Sequence, residues 1–248
     1  MNNFIIITAR SNSTRLKNKI LAKITPKYRS IDILIARASK IGLRIILATS
    51  NHKSDNDLVK YVKKKYSIDV FRGSLHNKLK RWHGCFLKYK IDYACMIDGD
   101  DLAFDHDMYK KNIFSKSLKK YNLVMYCKGI VTGSFTYILS KEVIKKLSNQ
   151  TKKIRYLDVL DGILKNNKFK IKKINILKKF KKHKIRLTLD YKLDLIFFKE
   201  LFKFKSIYES TNNLIFFLLK KKSISDINYS LEDAWKKNQI KQIIQNEK

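Results

Sequence analysis

Two short segments of this 248-residue chain carry side chains of the kind that perform phosphoryl chemistry. The first is Thr8-Ala9-Arg10-Ser11-Asn12-Ser13-Thr14-Arg15-Leu16-Lys17-Asn18-Lys19, a polar stretch directly behind an apolar run. Arginines, hydroxyls and a lysine this close together can bind a triphosphate, because guanidinium forks and backbone N–H groups satisfy its charge and its acceptor oxygens at once. The second is Asp98-Gly99-Asp100-Asp101, which also follows an apolar run. Phosphoryl transfer needs little covalent help from a protein but does need positive charge on a developing pyrophosphate, and carboxylates holding Mg2+ supply it. An Asp-rich sequence is ordinarily just a turn; its place at the end of a strand favours the metal reading.

The elements that must position these segments follow from hydrophobic periodicity. Phe4 to Thr8 reads as a strand, and Ile31, Leu34, Ile35, Ala38 and Ile41 recur at helix spacing. A strand at Ile45 to Thr49, a helix through Leu58, Val59 and Val62, a short run Asp69-Val70-Phe71, a helix bearing Leu79, Trp82 and Phe86, and a strand Tyr93 to Ile97 complete the first half. Strands alternating with helices at this spacing imply an α/β fold with a mostly parallel sheet flanked by helices, whose ligands gather beyond the carboxyl ends of the strands. The loops after Ile7, Thr49 and Ile97 are therefore the ones to watch. The second half is less regular: strands at Leu123 to Tyr126, Phe135 to Leu139, Phe169 to Ile176 and Ile185 to Leu189, and helices from Lys141, around Leu157 to Leu164 and over Tyr191 to Phe204. Residues 205–248 form a tail with a helical pattern at Ala234, Trp235, Ile240, Ile243 and Ile244.

With 44% hydrophobic residues the chain can bury a substantial core, and one proline and seven glycines leave no linker tract, so residues 1–248 read as a single domain. A formal net charge of +34 alone suggests a polyanion partner. Most of that charge is lysine in runs such as Lys63-Lys64-Lys65 and Lys220-Lys221-Lys222 beside apolar segments, which reads instead as solvated ends and faces of elements in a Lys-, Ile- and Asn-rich composition. No zinc-finger, interleaved aromatic-basic or recognition-helix pattern supports a nucleic-acid partner. Cys85, Cys95 and Cys127 are widely separated, which argues against a disulfide framework and for a reducing, cytoplasmic setting. The chain enters its first apolar run without a basic leader, and its longest later run, Leu214 to Leu219, is far shorter than a bilayer span.

Arg10, Ser13-Thr14-Arg15-Leu16 and Lys19 match the A-R-x-x-S-T-R-L-x-x-K signature of CTP-dependent cytidylyltransferases, and the chain resembles that family, which includes the KDO, sialic acid and spore-coat polysaccharide enzymes. Gly99-Asp100 and Asp105 correspond to its G-D-C-P-L-I-D stretch, and Arg186-Leu187-Thr188-Leu189-Asp190-Tyr191-Lys192-Leu193-Asp194-Leu195 is similar to its R-L-T-x-D-x-x-x-D-L ending. Ala48-Thr49-Ser50 and Phe71-Arg72-Gly73-Ser74, with Arg81 beyond, are weaker matches. Two departures stand out: Lys17-Asn18 replaces Pro-Gly before the lysine, and Asp101-Leu102 replaces Cys-Pro.

The resemblance implies a Rossmann-like nucleotidyltransferase fold and transfer of CMP from CTP to a sugar, sugar-acid or sugar-phosphate acceptor, with release of pyrophosphate, in surface polysaccharide biosynthesis. It implies that Arg15, Lys19 and Asp100 are catalytic, and that Thr8, Ala9, Arg10, Ser13, Thr14, Thr49, Arg72 and Arg81 join Arg15 and Lys19 around the nucleotide. Asp100 and Asp190 would hold Mg2+; Asp194 has a structural alternative, since an acid in a first turn suits the helix dipole. Acceptor recognition and dimer contacts belong to residues 126–182, where the match is poor, and a homodimer is an expectation from the family alone. The rival readings are a nucleotide-sugar glycosyltransferase, because Asp98-Gly99-Asp100 also spells D-x-D, and a basic nucleic-acid-binding protein.

Overall fold

The computed structural model describes residues 1–13, 15–126, 129–150, 164, 168–174 and 184–238. Seven strands, β1 (Asn3–Thr8), β2 (Arg44–Ser50), β3 (Asp69–Gly73), β4 (Tyr93–Asp98), β5 (Leu123–Tyr126), β6 (Tyr137–Ser140) and β7 (Ile171–Ile174), form one sheet in the order β3-β2-β1-β4-β6-β5-β7. Helices α1 (Ser30–Ser39), α2 (Asn56–Lys65) and α3 (Lys78–Tyr89) link the first four strands; α4 (His106–Ile113), α5 (Lys141–Gln150), α6 (Lys192–Phe204), α7 (Thr211–Lys220) and α8 (Lys222–Tyr229) follow.

β1 and its neighbours are apolar on both faces because helices cover both. Ile5, Ile7, Leu47, Cys95 and Ile97 pack in one buried layer with α1, α4 and α6, while Phe4, Ile6, Ile46, Ala94 and Met96 pack in another with α3 and α5. Period-two alternation thus serves two cores instead of one core and solvent. α1 turns Ile31, Leu34, Ile35 and Ala38 inward, and the sequence reading placed that face correctly. Arg37, on the same helix and fully buried, donates to the carbonyls of Phe104, Ile207 and Glu209 and to the Thr211 hydroxyl, so one guanidinium fastens the β4 loop and the start of α7 to α1. Burial lowers its pKa to about 10, where it still carries its charge.

The mostly parallel sheet is present, with one departure. β6 runs antiparallel to both β4 and β5. The expected strand at Ile185 to Leu189 is instead an extended segment touching the 132 turn through a single bridge at Arg186. Its N–H groups go to two loops: Leu187 donates to Thr132 O at 2.8 Å and Leu189 donates to Asp100 O at 2.8 Å. The helices α4, α7 and α8 had no counterpart in the periodicity reading. The expected helix over Leu157 to Leu164, the 126–182 elaboration in large part, and Ile240, Ile243 and Ile244 lie outside the described residues. Cys85 and Cys95 are free and buried. Among the described residues no helix is long and apolar enough to cross a membrane.

β1 is the switch point, because the chain winds outward through β2 and β3 and then returns to place β4 on its other side. Loops leaving the carboxyl ends of β1 and β4 therefore open side by side, where open α/β sheets bind ligands. Gly99 sets their separation: its N–H donates to Thr8 O at 2.8 Å, and a Cβ there would stand 2.9 Å from both Thr8 O and the Ala9 Cβ. Gly99→Ala is expected to force the two loops apart at a cost of about 1–3 kcal/mol, measurable by urea denaturation.

Candidate active site

The β1 loop is held in place by a carboxylate that was not among the expected site residues. Asp55, fully buried, accepts from Ser11 N at 2.6 Å, Thr49 Oγ1 at 3.0 Å and Ser50 N at 3.0 Å, and also from the Ser50 hydroxyl. Burial would raise this carboxyl, but those donors more than offset it and hold it below its ordinary range. The Thr49 hydroxyl is thus engaged in ordering the loop after β2. The arginines expected around the nucleotide also staple loops: Arg10 Nη1 donates to Leu75 O, Arg72 Nε to Ser50 O, and Arg81 Nη1 to Ser74 O. Thr8 Oγ1 accepts from Trp82 Nε1 at 2.7 Å, and the Ala9 N–H donates to Ala48 O. Ser13 Oγ accepts from Leu16 N. Thr14 lies outside the described residues.

The loop then delivers two cations to the carboxylates. Asn18 takes a left-handed conformation, φ 53°, at the position where the family has glycine, and this turns the chain into the short 3-10 turn that carries Lys19. Lys19 Nζ donates to Asp100 Oδ2 at 2.9 Å and to Asp190 Oδ1 at 2.8 Å, and Arg15 Nη2 donates to the same Asp190 oxygen at 2.6 Å. Residues 15, 19, 100 and 190 therefore meet at one point. Burial opposes charge on Lys19 and Arg15, yet Asp100 and Asp190 raise both above their ordinary values. Burial likewise works against the Asp100 carboxylate, and Lys19, Lys78 and Arg15 overcome it, holding Asp100 at about 2.

Four further acids lie on or beside these loops. Asp98, Asp100 and Asp101 each present an oxygen within 4.8 Å of the others. Lys78 Nζ donates to Asp98 at 2.6 Å, and Thr136 Oγ1 donates to Asp101. Burial, then the charges of Asp100 and Asp98, push Asp101 well above its ordinary range. Asp105 caps α4 by accepting from Met108 N, away from this cluster's chemistry. Asp194 accepts the N–H groups of Asp190 and Tyr191 and pairs with buried Arg186, which fits the helix-start role. Hard carboxylate oxygens in this number suit a divalent cation such as Mg2+. The Lys19 ammonium, shared by Asp100 and Asp190, shows that the pair already accommodates a positive centre between them.

Sequence comparison then decides the family. The model of a family described as Cytidylyltransferase matches residues 4–224. The chain belongs to the cytidylyltransferase family. This cytidylyltransferase is thus a nucleotidyltransferase, and the D-x-D glycosyltransferase alternative gives way. It is 30% identical over 228 residues to an uncharacterized protein of Methanocaldococcus jannaschii, covering 90% of this chain and 93% of that protein. Its fold is similar to that of a cytidylyltransferase from Leptospira borgpetersenii, with a TM-score of 0.76 at 23% identity over 90% of this chain and 96% of the other. It is also similar to a CMP:2-keto-3-deoxy-manno-octonic acid synthetase solved with CTP, with a TM-score of 0.61 at 14% identity over 82% of this chain and 99% of the other.

The Asp55 network gives a test of how the β1 loop is ordered. Asp55→Asn places an NH2 group against existing donors and is expected to cost about 2–3 kcal/mol at pH 7. Because the folded carboxyl lies below its usual 3.8, its stabilisation is complete above that value and disappears as pH falls through the lower folded one. Denaturation curves of wild type and variant should therefore differ at neutral pH and converge in acid.

Proposed function

We propose that this cytidylyltransferase transfers CMP from CTP to a sugar, sugar-acid or sugar-phosphate acceptor and releases pyrophosphate, serving surface polysaccharide synthesis in the cytoplasm. The observation that carries this reading is the shared ammonium: Lys19 touches Asp100 and Asp190 at once, although the three lie far apart in sequence. Asp100 and Asp190 would hold Mg2+, with Asp98 in reach of Asp100. Magnesium there supplies positive charge to the phosphates of the substrate and of the pyrophosphate leaving group.

The chain's own residues do the rest. Lys19 and Arg15 exchange their carboxylate partners for phosphate oxygens when the nucleotide arrives, and the phosphate charge then takes the place of Asp100 and Asp190 in holding both cations protonated. Arg10, with the loop it staples to Leu75, bounds the phosphate side. The Thr8-Ala9 backbone, held by Trp82 and Ala48, faces the base. An acceptor oxygen attacks the α-phosphorus in line, a new P–O bond forms, and the bond from the α-phosphorus to the bridging oxygen breaks. An acceptor that reacts through an ionised phosphate has no proton to lose; a hydroxyl acceptor gives its proton to water. The fold neighbour solved with CTP supports the choice of nucleotide.

Pyrophosphate release measured with CTP, UTP, ATP and GTP against keto-deoxy sugar acids, sugar phosphates and polyol phosphates tests the proposal. CTP should be preferred. Arg15→Ala and Asp190→Asn should each lower the rate on the order of 10²-fold or more. Equal use of all four nucleotides would remove the CTP assignment, and wild-type turnover in Asp190→Asn would remove that carboxylate from the mechanism.

A further inference from the structure

Arg186 is fully buried with its charge, and a buried charge requires carboxylate partners. It has three. Nε donates to Asp194 at 3.0 Å, Nη1 donates to Glu232 at 3.2 Å, and Nη2 reaches Asp190 at 3.4 Å. Asp194 is already committed to the N–H groups of Asp190 and Tyr191 and to Asn228 Nδ2 at 2.8 Å. Asp190 is the residue whose other oxygen faces Lys19 and Arg15. Glu232 is different in kind: it comes from the helical residues 231–238, beyond the span 4–224 that the family model matches.

Glu232 is held as firmly as a designed partner would be. It is 5% exposed, and its Oε1 accepts from Thr132 Oγ1 at 2.7 Å. Thr132 in turn accepts from Leu187 N, one residue beyond Arg186. Trp235, one turn along the same helix, sets its ring 5.3 Å from the Arg186 guanidinium carbon. The C-terminal segment therefore brings both a charge and an aromatic face to the guanidinium that backs the metal-holding pair.

We propose that Glu232 is a positioning residue for the site, drawing Arg186 away from Asp190 so that Asp190 keeps its charge available to a divalent cation. This rests on Asp100 and Asp190 being the metal-holding pair. With the Glu232 charge removed, Arg186 is balanced by Asp190 and Asp194 alone. The Arg186–Asp190 contact, now long at 3.4 Å, tightens, and Asp190 becomes a poorer cation ligand.

The test uses the full-length chain and follows binding of Mn2+, without turnover, through the electron paramagnetic resonance signal of the free ion. Glu232→Gln preserves size and can keep both contacts, its carbonyl oxygen accepting from Arg186 and its NH2 donating to the Thr132 hydroxyl, while removing charge; it should weaken Mn2+ binding on the order of tenfold in a chain that still folds. Lys236→Ala, which removes the exposed partner on the outer side of Glu232, should bind as wild type does. Folded Glu232→Gln with Mn2+ affinity within about twofold of wild type would reduce Glu232 to a packing role and overturn the inference. A Glu232→Ala variant adds the loss of packing; if it does not fold, the glutamine variant decides alone. Absence of Mn2+ binding by the wild-type protein would instead sink the metal-holding pair itself, and this inference with it, so the two failures are distinguishable.

Discussion

One ammonium between two carboxylates organises the functional edge of this protein. Lys19 reaches Asp100 and Asp190 together, and the separation of those residues in sequence means that three chain segments must be delivered to a point. The sheet does most of this. Its winding reverses at β1, so the loop carrying Lys19 and the loop carrying Asp100 leave neighbouring strands. The third segment is not a strand at all. It is laced to the β4 loop by the bond from Leu189 N to Asp100 O, which leaves Asp190 beside Asp100. A repulsive pair of carboxylates in a poorly solvated place would not stay there without cations; Lys19, Arg15 and Arg186 supply them.

Supporting shells surround that point. Asp55 collects four donors and fixes the start of the β1 loop to the loop after β2. Arg10, Arg72 and Arg81 donate to carbonyls along the same edge. These bonds cost the chain buried polar groups whose loss would be severe, and they leave a rim whose geometry is set before any ligand arrives. Preorganised charge of this kind is how sites stabilise anionic transition states without rearranging at the moment of reaction.

Much of this was legible in the sequence, for identifiable reasons. The α/β class, β1 to β4 and the helices between them follow from periodicity, and the apolar run Phe4 to Ile7 marks a strand covered on both faces. Direction within a sheet is not local information, so the antiparallel β6 could not be read from Tyr137 to Ser140. The run Ile185 to Leu189 has strand composition, yet its N–H groups go to Thr132 and Asp100, so it forms no ladder. The motif residues Arg15, Lys19, Asp100 and Asp190 were identifiable by type and order, and the structure brings them together. Asp55 was missed because an acid in a helix-start position looks like capping; its distinguishing sign is that it follows Ala48-Thr49-Ser50 closely enough to fold back on it. Glu232 had no motif around it, and only the burial of Arg186 reveals its part.

The convergence of these segments is tested most directly by a double-mutant cycle on stability between Lys19 and Asp190, using Lys19→Met, Asp190→Asn and the double variant in urea denaturation at pH 7. Lys19→Met alone should be the costlier change because it leaves Asp100 and Asp190 facing each other. Its cost should fall by about 1 kcal/mol or more once Asp190 is neutral. Losses that simply add, to within about 0.5 kcal/mol, would contradict a shared ammonium and with it the meeting of the three segments.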